Sequence, residues 1–540
     1  MPLPDLPVEL LNLAFEYLAQ RDIKSLRLVC SAVKAWAKLK FDRVFISPNP
    51  TNISAFKGIV AHPDFNPQVR EIVWDDAQFE RYEECKYSLD DQYYLRDAED
   101  PEDRKAKWLI DYIDDVGKDR TRKIPLYMQR RKGLWGDAKE IGIEESFIIY
   151  CQLYARQESI IASGEDVDTL RLGLISFPNL QRITLTSETW RYKPLFPRYE
   201  TPLFRSLPPG FRMPIPWPWL GALASESSHY REWTEDEEEQ LEASWDEQHQ
   251  EWRGYSILVS ELLATASHHK VREFVIDVNR EPTGISQELF CGESVDYSNT
   301  INLFETLQLT RLDLALNIRA VIEERTETSF WHRRLLKRAL SNLTNLEHFH
   351  FHISILRNDL DERDRNHVWG DEWPWIDLAD IFPTPYEEAW PRLHHLVLAN
   401  LLVTEQNLFM FLSSLPALRE IDLDSIVLAV GEEVKMRSAQ SLLRRLKANL
   451  VEAEEGAWRE RKPRMTIRYW HHDTIRLTYF NDVISGYLYG SEENPFDVEK
   501  VEWNVRENVS WWTSDFDDAH CVPRKFRNVS YMGLHRVTSA

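Results

Sequence analysis

The chain has 540 residues, a formal net charge of −23 and 43% hydrophobic residues. That hydrophobic content is ample for a packed core and excludes global disorder. The charge excludes a phosphate-tracking protein, which needs a basic footprint, and disfavours anionic membrane surfaces, so neither nucleic acid nor membrane is expected as a partner. The length suggests about three or four domains, or one elongated repeat array. Cys30, Cys85, Cys151, Cys291 and Cys521 are few, odd in number and widely spaced, which argues against a disulfide framework or a zinc module. A reducing compartment, cytoplasm or nucleus, is expected. No stretch approaches the ~18 consecutive apolar residues of a membrane span. MPLPDLPVE carries no basic segment ahead of an apolar run, so no signal peptide is expected.

The first elements read as three short helices. Pro7 suits a first helical position, where its missing N–H costs nothing. Glu9 adds negative charge to the first turn, where the helix dipole favours it. The first helix is expected to run to about Ala19. Asp22 reads as the N-cap of a second helix, Ile23 to Cys30, and Ser31 as that of a third, Ala32 to Leu39. Ile23, Leu26, Val29, Cys30, Val33 and Trp36 are the expected inward residues. The first helix carries two apolar stripes: Leu11, Phe15 and Leu18 on one side, Leu6, Leu10 and Leu13 on the other. So small a module cannot bury both. A leftover apolar face marks a partner site, unless it packs on the rest of the chain.

The run LPVELLNLAFEYLAQRDIKSLRLVC, followed by SAVKAWAKLKFDRVFIS, resembles an F-box. Leu6, Pro7, Glu9, Leu10, Phe15, Leu18, Asp22, Ile23, Leu26, Val29 and Cys30 match the family pattern in order and spacing. Ala14 and the segment after the cysteine depart from it. The resemblance implies docking on the Skp adaptor of a cullin–RING ubiquitin ligase through Leu6, Pro7, Leu10, Phe15, Leu18, Ile23 and Leu26. HPDFNPQVREIVWDD, FPNLQRITL and TPLFRSLPPGF extend the likeness to a group of fungal F-box proteins.

Downstream, a short pattern recurs: apolar-x-x-apolar-x-apolar. It appears as VREIVW (69–74), LQRITL (180–185), VREFVI (271–276), LTRLDL (309–314), LEHFHF (346–351), LHHLVL (393–398) and LREIDL (418–423), with VEKVEW (498–503) as a further copy. Each alternation fits a strand buried on one face. Amphipathic helices and turn-like lead-ins such as FPN, LTN, WPR and LPA precede several copies. Helix, turn and strand in repetition is the logic of leucine-rich repeats, although the spacing is irregular and the signature Asn or Cys is mostly missing. An ordinary α/β domain remains the alternative, since buried parallel strands also give short apolar runs.

The expected fold is therefore mixed α/β (α+β). A three-helix F-box over 1–46 is followed by a connecting helical region over 47–170, with a first repeat-like strand. An irregular leucine-rich-repeat-like solenoid covers 171–540. Two stretches interrupt it. Phe79 to Arg131 is rich in charge and tyrosine. Residues 188–253 begin Pro- and Trp-rich, too proline-rich for regular structure, and their aromatics suggest a loop packed on the body. The acidic second half reads as an exposed helix.

No phosphate loop, nucleophile elbow or HExxH motif is present, so no catalysis and no cofactor are expected. On a strand, His348, His350 and His352 share one face opposite Phe349 and Phe351. A solvated sheet face is favoured there over a metal site, because no carboxylate or cysteine stands at a diagnostic spacing. In a solenoid, the residues between the apolar anchors line the concave face. These are Arg182 and Thr184, Glu273 and Val275, Arg311 and Asp313, His348 and His350, His395 and Val397, and Glu420 and Asp422. This mixed polar strip suits a protein substrate. A repeat scaffold outside the ligase and an enzyme with an unrecognised site are the rival readings.

Overall fold

The computed structural model describes residues 7–16, 18, 20–79, 141–187, 189, 199, 201–208, 211, 219, 244–278, 283–319, 334–356, 377–424, 426–429, 439–453, 456–471, 475–479, 481–494 and 509–510. Helices α1 (Val8–Glu16), α2 (Gln20–Arg27) and α3 (Ser31–Trp36) come first. Strand β1 (Arg43–Ile46) and helix α4 (Pro50–Val60) follow. The later strands are β2 (Glu71–Asp75), β3 (Arg182–Thr186), β4 (Glu273–Ile276), β5 (Ile285–Ser286), β6 (Arg311–Arg319), β7 (His348–Leu356) and β8 (His395–Ala399). They continue with β9 (Leu402–Thr404), β10 (Glu420–Asp424), β11 (Val427–Ala429), β12 (Arg464–His471), β13 (Ile475–Tyr479) and β14 (Val509–Ser510).

Among the described residues the main sheet has the order β1-β2-β3-β4-β6-β7-β8-β10-β12-β13-β14, with β5 beside β6. It is open. The pairs from β1 to β12 are parallel, and β13 and β14 add antiparallel at the far edge. Strands β9 and β11 form a second, two-stranded parallel sheet. Asn400, at φ 56°, turns the chain from β8 toward β9 and donates its N–H to the Asp424 carbonyl at 2.8 Å. Asn tolerates this left-handed conformation better than most residues.

The recurring apolar pattern is what sets this sheet in register. Val44, Ile72, Ile183, Phe274, Leu312, Phe349, Leu396, Ile421 and Met465 are successive cross-strand partners. All are buried, in one continuous core with helix residues such as Phe56, Leu174, Leu258, Leu303 and Leu412. A one-residue slip would turn this entire row out of the core. A backbone spine reinforces the register. The Asp42 carbonyl accepts from the N–H groups of Arg70 and Glu71, and the Arg70 carbonyl accepts from Gln181 and Arg182. The same forked bond recurs at Gln181, Arg272, Thr310, Glu347 and His394. At Arg419 it is single, from Arg464 alone, because the other position is Pro463, which has no N–H.

Several expectations are corrected. Arg43–Ile46, read as part of the first module, pairs with β2 and opens the sheet. Strand β12 went unread because Lys462 and Pro463 stand where the pattern wants an apolar lead-in. The copy at 498–503 lies outside the described residues, as does most of Phe79 to Arg131. The proline-rich stretch does hold one helical turn, Pro202–Ser206, with its proline at the tolerated first position and the Thr201 side chain as cap. Among the described residues no helix is long and apolar enough to cross a membrane.

Four described aromatic residues of the stretch 188–253 are hydrogen-bonded to the body of the chain. The Tyr199 hydroxyl donates to Asp277 Oδ2, and the indole N–H groups of Trp219, Trp245 and Trp252 donate to Asp76, Asp296 and the Gly284 carbonyl, each at 2.9 Å. Trp245 is buried, so the exposed helix expected in the second half does not extend to it. Asp76 also accepts from Trp74 Nε1 at 3.0 Å and Gly254 N–H at 2.9 Å. Burial raises its carboxyl above the ordinary value, with these bonds opposing. Gly254 is required there, since a side chain would collide with Trp74 and Asp76.

Candidate interaction surfaces

The first surface belongs to the N-terminal helices. Leu11, Phe15, Ile23, Val33 and Ala37 form their buried core, with Leu18, Leu26, Trp36 and Leu39 packed partly against it. One stripe of α1 is thus inside. The other is outside: Leu10 is 53% and Leu13 51% exposed. Leu28 and Val29 are exposed as well, at 87% and 70%. The helix ends explain this. α1 stops at Glu16, α2 starts at Gln20 before the expected Asp22 cap, and it ends at Arg27. The tight turn that follows, with bonds from Leu28 N–H to Ser25 and from Val29 N–H to Leu26, swings these two side chains outward. Val29 and Cys30, expected inside, are exposed, and Cys30 rather than Ser31 precedes α3.

Of the residues expected to meet an adaptor, Pro7 and Leu10 are on the surface and Leu18 and Leu26 are half-buried. Phe15 and Ile23 are interior, in the core of the three helices. Leu6 lies outside the described residues. Arg27 ties α2 to α3 by donating to the carbonyls of Lys34 at 3.0 Å and Ala37 at 2.6 Å.

The second surface is the face of the sheet opposite the apolar anchors. The first residues of the strands pair in one row: Arg43, Glu71, Arg182, Glu273, Arg311, His348, His395, Glu420 and Arg464. All the strip residues expected from the sequence are therefore brought onto one face, in this row or the next. The row is largely self-paired. Arg43 meets Glu71 at 2.6 Å, Arg182 meets Glu273 at 2.7 Å and Arg464 meets Glu420 at 3.1 Å. Arg311 turns along its own strand to Asp313 at 2.7 Å, and Arg468 reaches Asp422 at 3.4 Å. Burial alone would raise the Asp313 carboxyl, but Arg311, His350 and His348 hold it well below the usual carboxylate range.

Access to this face is graded. In the second row Thr184, Val275 and Asp313 are buried, whereas His350, Val397 and Asp422 remain partly open. In the third row His352, Ala399, Asp424 and Arg468 are all buried. The reading of the three histidines as one solvated face is thus corrected at His352. The partly open window runs from β7 to β12. Among the described residues no group of three His, Cys, Asp or Glu side chains is placed to hold a metal ion.

Residues 3–42 match the F-box domain family. F-box domains bind the Skp adaptor within cullin–RING ligases, and the match supports an F-box protein with an adaptor-binding role. Such proteins are typically non-catalytic receptors. The match ends one residue before β1 and does not extend to the sheet. A comparison of the chain with curated proteins finds no match.

Proposed function

We propose that this chain is the substrate-recognition subunit of a Skp–cullin–F-box ubiquitin ligase. The observation that carries the reading is the outward apolar set of Leu10, Leu13, Leu28 and Val29 on a module that matches the F-box. Large apolar side chains exposed on so small a unit call for a partner surface. The adaptor docks there, with Pro7 at the start of α1 and with Leu18 and Leu26 at the margin. The sheet domain, an irregular solenoid of leucine-rich-repeat type, holds a protein target at the window formed by His350, His395, Glu420 and Asp422. Chemistry takes place on other subunits. This chain contributes proximity and orientation and needs no cofactor. We place it in the cytoplasm or nucleus, in keeping with its sparse cysteines.

One observation favours a scaffold acting outside the ligase: a charged row already paired within the chain needs no partner for its own stability. Co-purification of the full-length protein with the host's Skp adaptor, beside a Leu10→Asp variant, separates the two. Binding that the variant loses supports the receptor. A well-folded wild-type protein that does not bind leaves the scaffold. For the second surface, charge reversal at Glu420 and Asp422 is expected to abolish target capture; unchanged capture removes the window from the account.

A further inference from the structure

The entry end of the sheet, along the spine of forked bonds, carries side chains that belong to neither surface above. The three residues before each strand hold Lys40, Arg70, Lys270 and Arg272 from β1 to β4, and Arg392, Arg419, Arg461 and Lys462 from β8 to β12. The carboxylates in these lead-ins are Asp42 and Glu347. This is a cationic rim on a chain whose net charge is −23. Part of it serves the fold. Helices end at this rim, and their last carbonyls favour a cation. Arg272 donates to the carbonyls of Leu307 and Gln308, each at 3.4 Å, and Arg461 to those of Leu415 at 2.6 Å and Ser413 at 3.1 Å. Arg392 donates to Asn345 Oδ1 at 3.2 Å. Arg70, Lys270, Arg419 and Lys462 do nothing of this kind. They are exposed, and among the described residues none of them has a hydrogen-bond or ion-pair partner for its side chain. The charged row on the face of the sheet neutralises itself; the rim does not.

We infer that this rim is a docking site for an extended acidic segment of a partner protein. The sheet fixes the spacing of its free cations. Arg419 and Lys462 precede adjoining strands, one step of about 4.8 Å apart, and Arg70 and Lys270 precede strands two steps apart. From β2 to β12 the rim measures about 34 Å, which an extended segment of about ten residues spans. Charge-assisted bonds from arginine to carboxylate are among the strong ones, and the guanidinium groups of Arg70 and Arg419 are free to make them. Between the two cationic groups the lead-ins of β6 and β7 offer Thr310 and Glu347, with Glu347 facing His394 at 3.8 Å. A peptide can set its carboxylates at the two ends and neutral residues across this gap. A nucleic acid carries a phosphate at every unit and meets Glu347 and the acidic body with charge of the same sign. Carboxylates at the starts of the neighbouring strands do not repel the segment strongly, since Glu71, Glu273 and Glu420 are each paired with an arginine. The chain's overall negative charge acts at longer range, and at ~0.15 M salt that field decays over about 8 Å.

The test uses the full chain with labelled oligoglutamate of about ten residues, oligolysine, and a single-stranded oligothymidylate of similar length. Oligoglutamate is expected to bind, and to lose at least about tenfold in affinity between about 0.05 M and about 0.5 M salt. The double variants Arg419→Glu/Lys462→Glu and Arg70→Glu/Lys270→Glu are each expected to weaken it at least about tenfold. Arg338→Glu, at an exposed cation of the helix Leu335–Leu340, is expected to leave it unchanged. Thermal unfolding checks that each variant is folded; the four rim side chains are exposed and unpaired, so their replacement leaves the core intact. Absence of oligoglutamate binding, binding that survives both double variants, or tighter binding of oligothymidylate or oligolysine would overturn the inference. The inference goes beyond the receptor reading and fails or stands apart from it: Leu10→Asp, which tests adaptor docking, is expected to leave oligoglutamate binding unchanged.

Discussion

The N-terminal helices and the sheet solve the same problem in opposite ways. The sheet buries its apolar residues row by row and pairs its charged residues with one another, so its surface is satisfied by the chain itself. Among the described residues, the helical module buries five side chains and leaves large leucines outside. A self-paired charged row says little about a partner, since exposed ion pairs form readily and contribute little. Exposed leucines beside a minimal core say much more. The functional signal is therefore stronger where the structure is smaller.

Substitutions chosen from each region would sharpen or break this contrast. Phe349, enclosed by Phe351, Phe382 and Trp390, is at the centre of the sheet's core. Phe349→Ala is expected to cost about 3–5 kcal/mol of stability in chemical denaturation. Leu10→Asp is expected to weaken adaptor binding by on the order of 2 kcal/mol or more, measured by calorimetry, because it removes a surface anchor. Its effect on unfolding is expected to stay within about 0.5 kcal/mol; a large loss of stability would make Leu10 a core residue and erase the contrast. Asp76→Asn sets an amide N–H2 against N–H groups that now point at a carboxylate, and is expected to cost about 1–3 kcal/mol in the same denaturation assay. Arg182→Gln on the charged row is expected to change stability by no more than about 1 kcal/mol. A larger loss there would mean that the row holds the sheet together.

Much of the sheet was legible because its anchors recur at a fixed spacing within each copy. Alternation then named the opposite face, and Arg182, Glu273, Arg311, His348, His395 and Glu420 do line up on it. Alternation says which face a residue is on, not what covers that face. This is why the burial of His352, Asp424 and Arg468 could not be read from spacing. Strand β12 escaped because a charged residue and a proline replace its apolar lead-in. In the helical module the two stripes of α1 were visible, whereas Val29 and Cys30 were misplaced. Their outward turn depends on α2 ending at Arg27, and helix ends are the feature that propensity reads least well.

Asp42 is the last residue of the F-box match and also the first carbonyl in the spine of forked bonds. Beside it the Phe41 ring lies 4.3 Å from Phe65, and the Phe41 N–H donates to Gln68 Oε1 at 3.2 Å. The chain is thus fastened to the sheet from the residue at which the F-box match ends. From that fixed origin the strands follow in chain order at about 4.8 Å per step. On the proposed reading, the strand on which a target segment sits sets its distance from Asp42, where the F-box match ends.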